Sequence, residues 1–243
     1  MTLEATAIEH APTGCTPVRE SSRFDRLSFG SGAVAAVLYL TGAVLFIAFV
    51  VPQMPAINAP APERAAFYAA MSRSAVYRSI SYLGELQLGF LLLFVGGLFA
   101  VLRRAEGGSG ALSFAVFGAG ITLAVFAPFA IMIEDHLMLG SAAAEVDSAT
   151  VAAIDGLGPL SIALGGFPQA LVLTGTAVLL PRQGIIPRWI GWFGLATAVL
   201  SLAGTGTLVW GAMFPISHLA SLLFRVWLLA LSLVLLRRVG RAP

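Results

Sequence analysis

Glu85, His218 and Arg225 are ionisable side chains set inside long apolar runs, and Glu134, Asp135 and His136 stand together at the end of another. Charge in hydrocarbon is costly, so each of these residues points to an ion pair, a ligand or proton site, or a metal. Spacing narrows the choice. His218, Ser221, Arg225 and Ser232 recur at intervals of 3, 4 and 7, which puts them on one helical stripe. Ser81, Glu85, Gly89 and Gly96 form a second stripe, with small residues that allow close helix approach. At 1.5 Å per residue from the arginines that end these runs, Glu85 lies about 25 Å, His218 about 27 Å and Arg225 about 17 Å along its helix. Gln169 falls near mid-depth, just past Gly165, Gly166 and Pro168, where a kink is expected. A long arginine can reach across the remaining gap, so both stripes are expected to face inward, with Glu85 paired to Arg225 directly or through water.

That pair has a plain structural reading, as a register device between helices, because either charge alone in lipid is expensive. It also has a functional one. Glu85, Gln169, His218, Ser221 and Arg225 would line an outward-facing pocket for a ligand, an ion or a proton. A metal site is the sharper alternative, since His136, His218, Glu134 and Asp135 are acceptable zinc ligands. No H-x-x-x-H or H-E-x-x-H spacing supports it, and both histidines lie too near the surface for a haem. The sequence also lacks a Ser-His-Asp signature, a G-x-S-x-G elbow, a P-loop and a dinucleotide fingerprint. No cofactor is expected, and Gly107-Gly108-Ser109-Gly110 reads as a tight inter-helix loop.

The elements that must position these side chains follow from composition. Of 243 residues, 58% are hydrophobic and 11% charged, with mean hydropathy +0.90. A soluble domain carries about 25% charged residues, so an ordinary soluble enzyme, a disordered tail and a disulfide module are excluded. The apolar runs Gly30–Val51, Leu83–Leu102, Ala111–Ile133, Leu157–Leu180, Trp189–Gly211 and Ile216–Leu236 each suffice to cross a core of about 30 Å. In lipid they must be helices, so an all-α bundle of six spans is expected. Residues 1–29, with Pro12, Gly14 and Pro17, read as a disordered tail, and 239–243 as a short one. Cys15 lacks the preceding apolar run of a lipoprotein signal. Glu63–Arg78 reads as a short surface helix or an extension of the second span, and Asp147–Asp155 as a short helix opened by an Asp cap.

All 14 basic residues are arginine. Arg19, Arg23, Arg26, Arg103, Arg104, Arg182, Arg188, Arg237, Arg238 and Arg241 fall on one side of a six-span chain. The third loop, Glu134–Gly156, falls on the other with five acids and no arginine, and Arg64, Arg73 and Arg78 dissent. The positive-inside bias puts both termini in the cytoplasm; arginine without lysine, with many alanines and 26 glycines, reads as a GC-rich genome, and a bacterial inner membrane is expected. Arginines scattered beside apolar runs are topology signals, so no nucleic-acid partner is expected. The expected partners are membrane lipids, with partner subunits or a second copy as further options. Trp189, Trp192 and Trp210 sit near span ends, as an aromatic belt requires.

Gly184, Pro187, Arg188, Trp189, Gly191 and Trp192 open the fifth span. This segment resembles a signature of a bacterial family of six-helix membrane proteins of unknown function. Leu38–Gly42, Tyr77-Arg78, Leu98–Arg104 and Trp227–Leu229 are similar in order and spacing. The resemblance covers roughly 30–238; it implies a compact six-helix bundle and carries no catalytic residues. Three function classes follow. The first is a non-enzymatic accessory or lipid-binding module with a polar pocket in its outer half. The second is a small proton- or solute-coupled transporter using Glu85 and Arg225, with Gly165–Pro168 as its helix break. The third is a metal-assisted membrane hydrolase built on the outer acids and histidines.

Overall fold

The computed structural model describes residues 21–56, 59–139, 147, 150, 154 and 156–240. The side chains of 21–22 and 126–139 are outside that description, as are the first twenty residues and most of the third loop. Seven α-helices are described: α1 Ser21–Leu45, α2 Ala61–Met71, α3 Ala75–Glu106, α4 Ala111–Leu139, α5 Leu157–Arg182, α6 Arg188–Gly204 and α7 Phe214–Val239. No strand occurs among the described residues. Five helical stretches are long and apolar enough to cross a membrane: Arg23–Gln53, Ala75–Glu106, Leu157–Arg182, Arg188–Leu208 and Gly211–Val239. The third expected span is α4, a 29-residue helix, of which 111–125 is the apolar part with described side chains.

Several ends differ from the sequence reading, for local reasons. The first helix starts at Ser21, nine residues inside the stretch read as a tail, because Asp25, Ser28 and Phe29 pack into the bundle. Its far end leaves α-geometry in a π turn, Phe46–Val50, and a 3-10 turn, Val51–Gln53. Pro52 has no N–H to continue the ladder, and Val51 N–H bonds instead to Phe46 O. The second span starts at Ala75, where Ser74 Oγ accepts Tyr77 N–H. The short helix before it, α2, is a separate element that buries Tyr68 and Met71. The fifth span is α-helical only to Gly204 and then tightens into the 3-10 turn Thr205–Leu208. Within the third loop, Asp147 Oδ1 accepts Thr150 N–H at 3.0 Å, the expected cap; most of 140–155 lies outside the described residues.

The six long helices form a ring in chain order: α1 packs on α3, α3 on α4, α4 on α5, α5 on α6, α6 on α7, and α7 returns to α1. Helix α5 also touches α3 and α7 across the ring. Its buried residues explain this reach: Gly158, Ser161, Ala163, Gly165, Gly166, Ala170, Gly175 and Thr176 are small enough for backbones to approach. At Gly166 an added Cβ would stand 2.6 Å from Ser201 O of α6. Larger groups fill the centre, among them Phe29, Phe94, Phe224, Trp227 and Leu228. Trp227 Nε1 donates to Ile190 O at 3.1 Å, so the largest buried ring leaves no polar atom unpaired.

One end of the ring is basic. Arg104 lies 3.6 Å from Asp25, Gln183 donates to Ala105 O, and Arg238 donates to Gly184 O. These contacts hold the start of α1, the end of α3, the α5–α6 turn and the end of α7 at one level. Glu106 closes the same end, with its carboxylate accepting Leu112 N–H, Ser113 N–H and Ser113 Oγ–H.

Candidate functional site

Arg225 sits near the middle of α7, about 17 Å from its first residue and about 21 Å from its last at 1.5 Å per residue. The whole residue is 6% exposed. Its stripe mates Ser221 and Ser232 face inward as expected, and His218 is half-buried. The guanidinium carbon lies 4.5 Å from the centroid of the Tyr39 ring on α1 and 5.2 Å from that of Phe224. Tyr39 Oη and Ser221 Oγ hydrogen-bond at 3.1 Å, which ties the ring across the α1–α7 seam. Nε and Nη1 of Arg225 are buried without a hydrogen-bond partner, and so is Nδ1 of His218.

Glu85 does not join this group. It is exposed on α3, and no ion pair between it and Arg225 exists among the described residues. The ring order gives the reason: α3 and α7 flank α1, so the first helix separates the two stripes. The inward polar residue of α3 is Gln87, about 200° around the helix from Glu85, at 100° per residue. Gln87 is buried, with Oε1 unpartnered, on a face of Leu91, Phe94, Leu98 and Leu102. Those bulky residues, spaced by 4, 3, 4 and 4 from Gln87, were the legible signal of the buried face. The small-residue stripe with Glu85 and Gly89 is the outer one.

Gln169 is buried, but as a clamp. Its Nε2 donates to Ser201 Oγ at 2.7 Å and to Ala220 O at 3.1 Å, which joins α5 to α6 and α7. The expected break near it is absent. Helix α5 runs through Pro168 from Leu157 to Arg182, with Gly166 seated against the α6 backbone. One turn outward, Ser217 Oγ donates to Gly204 O and bonds Thr207 Oγ1 at 2.8 Å, which joins α6 to α7 again.

Among the described residues, Glu85, Gln169, His218, Ser221 and Arg225 are not gathered around one cavity. A cavity of about 10 Å³ inside the ring is apolar, walled by Leu91, Phe94, Val116, Leu123, Val172 and Phe224 among others, and has room for about one water. Among the described residues no cluster of three metal-ligating side chains occurs. The side chains of Glu134, Asp135 and His136 lie outside the described residues, and His218 has Phe214 as its ring neighbour at 5.9 Å.

Fold and site together define an all-helical bundle of apolar, membrane-length helices around a buried guanidinium that has no carboxylate partner among the described residues. No family model, curated protein or solved structure matches the chain.

Proposed function

We propose that this chain is a six-span protein of a bacterial cytoplasmic membrane with both termini inside, and that it is a non-enzymatic module that binds a lipid or other apolar-bodied ligand. The observation that carries this reading is Arg225, a buried cation at mid-helix whose Nε and Nη1 donors are unanswered among the described residues. A charge that costs several kcal/mol to bury is retained where something outside the chain completes it. The span count is supported by the five membrane-length stretches and by the 29 residues of α4. The resemblance of Gly184–Trp192 and its companion motifs to a six-helix bacterial family agrees with it. The transporter alternative loses its two supports, since Glu85 faces out and α5 is unbroken.

Native mass spectrometry of the gently extracted protein tests this reading. The expected spectrum carries a retained lipid-mass adduct that dissociates on collisional activation. A bare folded monomer overturns the reading, and a stoichiometric polypeptide in place of lipid overturns it in favour of an accessory subunit.

A further inference from the structure

Arginine cannot shed its proton in a protein, so Arg225 cannot relieve its burial by becoming neutral. The rings of Tyr39 and Phe224 meet the guanidinium through π-faces, which attract the charge but leave Nε and Nη1 without acceptors. Among the described residues no carboxylate answers the charge: the Glu85 carboxylate is beyond α1 on an exposed face, and the Gln169 amide nitrogen is itself a donor, to Ser201 Oγ and Ala220 O. A water could satisfy one N–H, but it would leave the charge uncompensated.

We propose that Arg225 anchors an anion site: the polar end of the bound ligand is an oxyanion, carboxylate or phosphate, that enters along the α1–α7 seam. This gives a chemical class to the ligand-binding reading above and rests on it. Entry passes the half-buried His218 and then Ser221, which lie two turns and one turn outward of Arg225 on the same stripe. What covers the guanidinium is the Tyr39 ring, latched by a single 3.1 Å hydrogen bond to Ser221. When the latch opens, an oxyanion replaces the missing acceptors and neutralises the charge in one step. The interior cavity holds no more than about one water, so the ligand body stays outside, along the seam, with only its head inserted. An anionic amphiphile meets that shape; a free anion shares its chemistry.

The test compares oleate, oleyl alcohol and inorganic phosphate on the full chain in neutral detergent, by calorimetry. Oleate is expected to bind about 10- to 100-fold tighter than the alcohol, the value of a charge-assisted hydrogen-bond pair in a buried site. Arg225→Gln should erase that preference and Arg225→Lys should keep part of it. Equal binding of oleate and alcohol to the wild type overturns the anion site and leaves the ligand-binding reading standing. No binding of either, with no lipid adduct in the native spectrum, overturns both. Phosphate displacing oleate at equal concentration supports the anion site with a soluble source. Tyr39→Phe keeps the ring and removes the latch, so it tests the site even if Arg225→Gln fails to fold. Its oleate preference should persist with association about 2- to 10-fold faster, the value of one net hydrogen bond. Loss of the preference in Tyr39→Phe, or an unchanged association rate, overturns the seam as the route.

Discussion

At the scale of single residues, Arg225 and Gln169 are both buried polar groups on inward faces, yet their energetics have opposite signs. Gln169 is satisfied, donating to Ser201 Oγ and Ala220 O. Replacing it with Leu strands those acceptors, and the expected loss is about 2 kcal/mol of stability in thermal unfolding in detergent. Arg225 is not satisfied. Its burial costs several kcal/mol, and stacking on Tyr39 returns about 2 kcal/mol of that. Arg225→Met, similar in length and apolar, is therefore expected to raise the melting temperature of the delipidated protein by several degrees, about 2–4 °C per kcal/mol for a chain of this size. A lowered melting temperature would make Arg225 a structural register residue instead. The burial of these two residues was legible in the sequence, since an inward stripe on the last helix and a glutamine among glycines leave few other faces. Tyr39 and Gln87 were not legible as site neighbours. Glu85 drew attention by its charge, but it lies on the exposed face of α3, whereas Gln87, two residues on, is buried in the ring.

Individual helices meet through glycine contacts that differ sharply along the chain. A Cβ at Gly166 would stand 2.6 Å from Ser201 O, and one at Gly204 would stand 2.8 Å from Ser217 Cα. Both obstacles are backbone and cannot turn aside. Gly166→Ala and Gly204→Ala should therefore push α6 away from α5 and α7, each lowering stability by about 1–3 kcal/mol. Gly89 and Gly96 have nothing within 4 Å. Alanine there should be neutral or gain up to about 1 kcal/mol of helix propensity. Thermal unfolding of the four variants side by side checks the contrast; a loss at Gly89→Ala matching that at Gly166→Ala would place a partner on the outer face of α3. Helix existence was readable from the six apolar runs because hydropathy reports the lipid-covered length. Helix ends were not, because caps and packing set them. Ser74 starts α3 well before the apolar run, and Asp25 with Arg104 carries α1 back to Ser21. Neighbour order was also beyond periodicity, which tells which face is buried but not against which helix.

For the whole molecule, the arginines of the described ring divide unequally between its ends. Arg23, Arg26, Arg103, Arg104, Arg182, Arg188, Arg237 and Arg238 belong to one end, tied together by the Asp25, Ala105 and Gly184 contacts. Arg64, Arg73 and Arg78 belong to α2 and the start of α3 at the other. The excess should hold the first end in the cytoplasm, because each retained arginine resists transfer and the third loop offers only acids. Cysteine labelling of intact cells with a membrane-impermeant maleimide measures this directly, since Cys15 is the one native cysteine. Native Cys15 and, in a Cys15→Ser background, Ser109→Cys should react only after the membrane is opened. Ser148→Cys should react in intact cells. The reverse pattern would invert the molecule and turn the His218 end of the α1–α7 seam toward the cytoplasm. Arg225 would then draw its anion from the inner leaflet, which is rich in acidic lipids, and the oleate comparison would have to be repeated with those headgroups.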